Sequence, residues 1–265
     1  MKAMVAFIAV LALSGCAMTG SAPSIKEEPV TYRDGNTEMK GFIVYDEARQ
    51  GRRPGVLVVH EWWGITKHVH SEARKFAEQG YTAMIVDMFG DAKTADNPKD
   101  AGALSGSVMK NPQTMQSRFN AARSVLARHA SVDPSRIGAA GYCFGGTVAL
   151  NMVRAGADLA GVAAFHAGLS MNTPAPSAVR TKVLVLNGAD DPFVKPDQID
   201  AFKKDMDAAR ADYRFINYPG AVHAYTNPEA TAAGKKFNLP LAYNAQVDQQ
   251  SKAEAAKFFR EVFGQ

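Results

Sequence analysis

The sequence predicts an α/β fold, a mostly parallel central sheet flanked by helices, in a single domain over residues 28–265. Two observations carry that reading. Short apolar, β-branched runs alternate with helix-compatible segments, the pattern of parallel strands joined by right-handed crossovers. One such run, Arg136 to Tyr142, passes through Gly141-Tyr142-Cys143-Phe144-Gly145 directly into a helical stretch, which is the signature of a sharp strand-to-helix turn. A chain of 265 residues that is 46% apolar is long enough for one sizeable core.

Taken in order, Pro29 to Arg33 and Glu38 to Tyr45 read as strands around a turn at Asp34-Gly35-Asn36. Gly55 to His60 is an apolar run of buried-strand type and ends in Glu61-Trp62-Trp63-Gly64. His68 to Gln79 is helical and is closed by Gly80. Tyr81 to Met88 is the next strand. Gly90 to Met115, broken at Asn97-Pro98 and Asn111-Pro112, reads as an excursion with one short helix placed as a cap over the site. Gln113 to His129 is helical, Arg136 to Tyr142 a strand and Cys143 to Ala155 its helix. Leu159 to Phe165, Lys182 to Leu186 and Tyr213 to Tyr218 are strands; Lys195 to Ala209 and Ser251 to Phe263 are helices.

The N-terminus reads as a targeting segment. Lys2 precedes an apolar run, Ala3 to Leu13, too short to span a bilayer. It ends in Leu13-Ser14-Gly15-Cys16, a tetrad that resembles the bacterial lipobox. That resemblance implies a signal peptide over residues 1–15, lipid on Cys16 and a membrane-anchored protein of the cell envelope. Ala17 in place of aspartate points to the outer membrane, facing the periplasm. Residues 16–27 are rich in Ser, Ala and Pro and read as a flexible tether. With Cys16 lipidated, Cys143 is the one thiol left in the mature chain, so no internal disulfide is expected in an oxidising compartment. The net charge of +4 is spread without Lys/Arg runs and does not point to nucleic acid.

Glycines on both sides of Cys143 suit a nucleophile on a strained turn, because a Cβ there would keep strand and helix apart. The turn places the thiol at a helix N-terminus, where the dipole favours thiolate and the Phe144 N–H is free to bind an oxyanion. Downstream, Gly188-Ala189-Asp190-Asp191 and Pro219-Gly220-Ala221-Val222-His223 each follow a predicted strand. Nucleophile, acid and histidine therefore occur in that order, each at the C-terminal end of a strand, where α/β sheets place their sites.

On these residues the chain resembles the dienelactone hydrolase family, carboxymethylenebutenolidase-like enzymes of α/β-hydrolase fold. The resemblance runs from about residue 28 to the C-terminus. It rests on His60-Glu61-Trp62-Trp63-Gly64, Gly141-Tyr142-Cys143-Phe144-Gly145-Gly146, Asn187-Gly188-Ala189-Asp190-Asp191-Pro192-Phe193-Val194 and Pro219-Gly220-Ala221-Val222-His223. It implies a hydrolase of esters or lactones with a covalent acyl-cysteine intermediate. In it Cys143 is the nucleophile, His223 the base, Asp191 the triad acid with Asp190 as the alternative, and Glu61 a carboxylate that gates the thiol. Backbone N–H groups of Trp62 and Phe144 would form the oxyanion hole. Where family members that bind carboxylate-bearing lactones carry an arginine, this chain has Asn227. Trp62, Trp63, Phe144 and Tyr225 suggest an apolar acyl pocket.

No cofactor is implied. His60-Glu61 lacks the second histidine of a zinc helix because Gly64 stands in its place, and His68-x-His70 does not put two ligands on one helix face. Two alternatives stay open: a lipid-anchored protein that binds a ligand or partner without turnover, and a thioesterase or peptidase on the same fold. The substrate is expected to be a small ester or lactone; the oligomeric state is left open.

Overall fold

The computed structural model describes residues 22–171, 173, 176 and 178–265. The lipobox, Cys16 and the signal segment lie outside the described residues. Eight strands form one sheet in the order β1-β2-β4-β3-β5-β6-β7-β8. They are β1 (Ile25–Asp34), β2 (Thr37–Asp46), β3 (Arg53–Val59), β4 (Thr82–Val86), β5 (Val132–Tyr142), β6 (Gly161–Phe165), β7 (Lys182–Gly188) and β8 (Tyr213–Tyr218). The β1–β2 and β2–β4 pairs are antiparallel and the other five are parallel, so the expected mostly parallel sheet is present.

Burial explains the strand assignments. All seven residues of β3 and all five of β4 and of β6 are buried, as expected of parallel strands covered on both faces. One face carries α2 (Pro98–Met109), α3 (Pro112–Arg128), α4 (Phe144–Arg154) and α5 (Pro196–Ala208); the other carries α1 (Lys67–Glu78) and α7 (Ala245–Phe263). Asn97 and Asn111 cap α2 and α3 through their side chains, each with a proline at the first helical position. The two Asn-Pro breaks are thus helix starts, and the excursion contains a full 12-residue helix before α3.

Two boundaries differ from expectation. The last three residues of the expected tether are strand: β1 begins at Ile25, paired to Asp46, and Glu27 is held by His70 and Arg74. An eight-residue helix, α6 (Ala230–Phe237), lies where none was expected. The chain after it returns to the histidine loop: Leu241 bridges His223, and Ala242 N donates to His223 O at 3.2 Å.

Candidate active site

The sheet brings the predicted loops to one edge. Cys143 follows the central strand β5, Glu61 follows β3, Asp191 follows β7 and His223 follows β8. Cys143 has φ +54° and ψ −117°, a strained conformation for a residue with a side chain. What imposes it is contact. A Cβ on Gly141 would sit 2.2 Å from Gly145 O, and one on Gly145 would sit 2.3 Å from Val59 O. Strand and helix touch backbone to backbone around the cysteine.

Cys143 Sγ lies 3.0 Å from His223 Nε2, and His223 Nδ1 lies 2.7 Å from Asp191 Oδ2. Asp191 is buried and its other oxygen accepts the Phe193 N–H at 2.9 Å, while Asp190 is exposed. The structure thus selects Asp191 over Asp190 as the partner of the histidine. Burial alone would push the His223 imidazole down. The adjacent Cys143 and the hydrogen bond to Asp191 outweigh it and raise it to about 10. The sulfur and the ring nitrogen are within hydrogen-bond reach, so the imidazole is placed to take the thiol proton. Phe144 opens α4, so its N–H has no helical acceptor, and Trp62 lines the same cavity.

That cavity has a volume of about 420 Å³ and is lined by Cys143, His223, Trp62, Phe144, Phe193, Met109, Leu239 and Leu241, with Gly102, Ser105 and Gly106 of α2, Thr147 of α4 and Gly168. It is the size of a small-ligand pocket. The helix read as a cap supplies one wall. Apart from His223, no ionisable side chain other than the nucleophile itself lines it among the described residues.

Two expected pocket residues are elsewhere. Tyr225 is fully buried, donates its hydroxyl to Leu186 O at 2.9 Å and packs edge-on against His166; the alternation of the loop sends it into the core, away from the cavity. Trp63 packs on Trp62 and Phe237 and borders a separate cavity of about 210 Å³ behind Glu61. Glu61 also departs from expectation. Its Oε2 accepts the Asn227 amide at 2.7 Å and lies 3.3 Å from His68 Nδ1, while the cysteine sulfur is taken by His223. Burial would raise the Glu61 carboxyl, but the His68 charge and the Asn227 amide hold it below its ordinary range. Sequence reasoning missed His68, Phe193 and the leucines after α6. His68 and His70 were weighed as a ligand pair, yet they point apart, His68 to Glu61 and His70 to Glu27.

Fold and triad together define a hydrolase of the α/β-hydrolase class. The dienelactone hydrolase family profile matches residues 39–263, and the chain belongs to that family of carboxylic ester hydrolases. A protein of Aquifex aeolicus, provisionally named a carboxymethylenebutenolidase, is 24% identical over 203 residues, covering 75% of this chain and 86% of its own. A dienelactone hydrolase-like promiscuous phosphotriesterase from metagenomic libraries superposes with a TM-score of 0.83 at 31% identity, covering 90% of this chain and 99% of its own. A solved structure named m3DLH gives 0.86 at 34% identity, covering 91% and 99%.

Proposed function

We propose that this chain hydrolyses small, uncharged esters or lactones through an acyl-cysteine intermediate on Cys143. The observation that carries the reading is the Cys143–His223–Asp191 chain, at 3.0 and 2.7 Å, on the wall of an apolar cavity. The thiolate attacks the carbonyl carbon and the carbonyl electron pair moves to oxygen, where the Trp62 and Phe144 N–H groups receive it. On collapse the carbon–oxygen bond to the leaving group breaks, and His223 gives its proton to the departing alkoxide. Water then loses a proton to His223 and attacks the thioester; the thiolate leaves and the acid product forms. Asp191 keeps the imidazole in the tautomer and orientation that both steps need.

The absence of lysine and arginine from the described cavity wall, and Asn227 in place of arginine, favour substrates without a carboxylate. The test is a panel of neutral and carboxylate-bearing esters and lactones, with thioesters, a peptide and a neutral phosphotriester, against the full chain and Cys143→Ala. Turnover of neutral esters lost in the variant is the expected result. Binding without turnover, or turnover that survives the substitution, defeats the reading. We further infer that the enzyme works in the bacterial envelope, anchored by lipid on Cys16. Cys16→Ser should move it out of the membrane fraction, since several acyl chains bind a bilayer stably where a bare N-terminus does not.

A further inference from the structure

Among the described residues Phe193 is the one large apolar side chain that stands exposed, with 47% of its surface open. It lies two residues after Asp191. Its N–H donates to Asp191 Oδ1 at 2.9 Å, and the Val194 N–H donates to Asp191 O at 3.2 Å. The turn is thus pinned to the triad acid at two successive residues, and Val194, not Phe193, enters the core. An open turn position ordinarily carries a polar or small residue. Here it carries a phenyl ring that lines the cavity and stands edge-on to His223, with ring centroids 5.1 Å apart and planes at 87°.

Three points orient an ester in the proposed reaction. Its carbonyl carbon lies at Cys143 Sγ, and its carbonyl oxygen at the N–H groups of Trp62 and Phe144. Its leaving oxygen lies within reach of His223 Nε2, which gives it a proton. Nε2 is 3.0 Å from Sγ, so the first carbons of the alcohol sit beside the imidazole. Of the groups around that ring, Asp191 and His166 are buried and do not border the cavity. Leu241, bridged to His223, borders it but is buried. Phe193 alone of the four both borders the cavity and is open. We propose that Phe193 is a specificity residue for the alcohol side of the substrate, a platform for a flat apolar leaving group. The preferred esters of this chain then carry an aryl-bearing alcohol, of benzyl type, in place of a short alkyl one. The inference deepens the ester-hydrolase reading and rests on it.

The test compares benzyl acetate with ethyl acetate in the full chain, in Phe193→Ala and in Phe193→Tyr. Each ester is compared with itself across variants, so its intrinsic reactivity cancels. The ratio of kcat/KM, benzyl over ethyl, should fall about five- to tenfold in Phe193→Ala and stay within about twofold of wild type in Phe193→Tyr, which keeps the ring. The reverse of acylation gives a second readout, with nitrophenyl acetate as the acetyl donor. Added benzyl alcohol passes its proton to His223, attacks the thioester carbonyl and expels the thiolate, forming benzyl acetate. Its partition against water should fall by a similar factor in Phe193→Ala. A merely structural role, in which lost packing loosens His223, slows both esters alike. An unchanged ratio therefore overturns the proposal, as does a loss that tracks acyl length at fixed alcohol. Should Phe193→Ala fail to fold, Phe193→Leu, which keeps apolar bulk without the ring, carries the same comparison. A wild type inert to all three esters defeats ester hydrolysis and this inference together; an active wild type whose ratio does not respond defeats this inference alone.

Discussion

Cys143 has two unlike sides. In front is a cavity of about 420 Å³ walled by aromatic, aliphatic and glycine positions. Behind it Glu61, His68, Glu72, Lys252 and Asp248 pack in continuous ion-pair contact. The difference separates two tasks. The open side presents apolar surface and, among its described residues, no lysine or arginine, and it is built largely from α2 and the turn after α6. The closed side does not line the cavity and keeps buried carboxylates paired with cations. It is built from β3, α1 and α7, elements locked into the sheet and core. Changes in front should act on substrate range, and changes behind, which unpair buried charges, on the stability of the fold.

The largest effects lie on the line between the two sides. Cys143→Ala should lower turnover by on the order of 10⁴-fold or more, because it removes the side chain that lies against the His223 ring nitrogen and is placed to form the acyl intermediate. Asp191→Asn should cost about 10²- to 10⁴-fold in kcat, since an amide can leave the imidazole in the wrong tautomer. Steady-state kinetics on one neutral ester checks both. An Asp191→Asn enzyme as active as wild type would mean that the buried network, and not Asp191, orients His223.

Intermediate in size is the pH response. His223 is raised to about 10 against an ordinary value of 6.5. A group raised on folding stabilises the fold fully below its unfolded value, and that contribution is lost as pH rises through the folded one, here between about 6.5 and 10. The same proton serves the leaving group. With an alkyl ester, whose alkoxide must be protonated, kcat/KM should therefore fall on the alkaline side near 10 and not near neutrality. A nitrophenyl ester needs no such proton, and its alkaline limb should be absent. Equal limbs for both esters would show that His223 does not deliver the proton.

The front-and-back division also explains what could be read beforehand. The elbow was legible because backbone contact at Gly141 and Gly145 forbids side chains, and such a requirement leaves a mark on single positions. Asp191 and His223 were legible from their order after strands. The charged back was not. His68, Glu72 and Lys252 are separated by up to 184 positions and meet through α1 and α7, and no local pattern distinguishes them from solvated helix charges. Ile25-Lys26-Glu27 reads as tether for a related reason: charge is what an edge strand carries to avoid further pairing. Tyr225 and Trp63 were misplaced because an aromatic beside a catalytic loop can face either way, and only the packing of His166 and Phe237 decides.

The smallest effect sharpens the comparison most, because one substitution takes opposite signs on the two sides. Gly145 belongs to the closed elbow, where an added Cβ would lie 2.3 Å from Val59 O with backbone on the other side. Gly145→Ala must separate β3 from α4 and should destabilise the fold as well as abolish activity. Gly102 and Gly106 belong to α2 on the open side, one helical turn apart, and a Cβ at either meets nothing within 4 Å. In the interior of a helix glycine is less favourable than alanine by about 1 kcal/mol. Gly102→Ala should therefore raise the melting temperature by a few degrees, on the order of 1 kcal/mol at this chain length. It also adds a methyl to the cavity wall. Esters with a short acyl chain should keep their kcat/KM, while those long enough to reach α2 should lose severalfold through KM. Gly102→Leu should enlarge that loss. If the longer esters are unaffected by either change, the acyl group does not lie along α2, and the wall formed by Leu239 and Leu241 is left as its place.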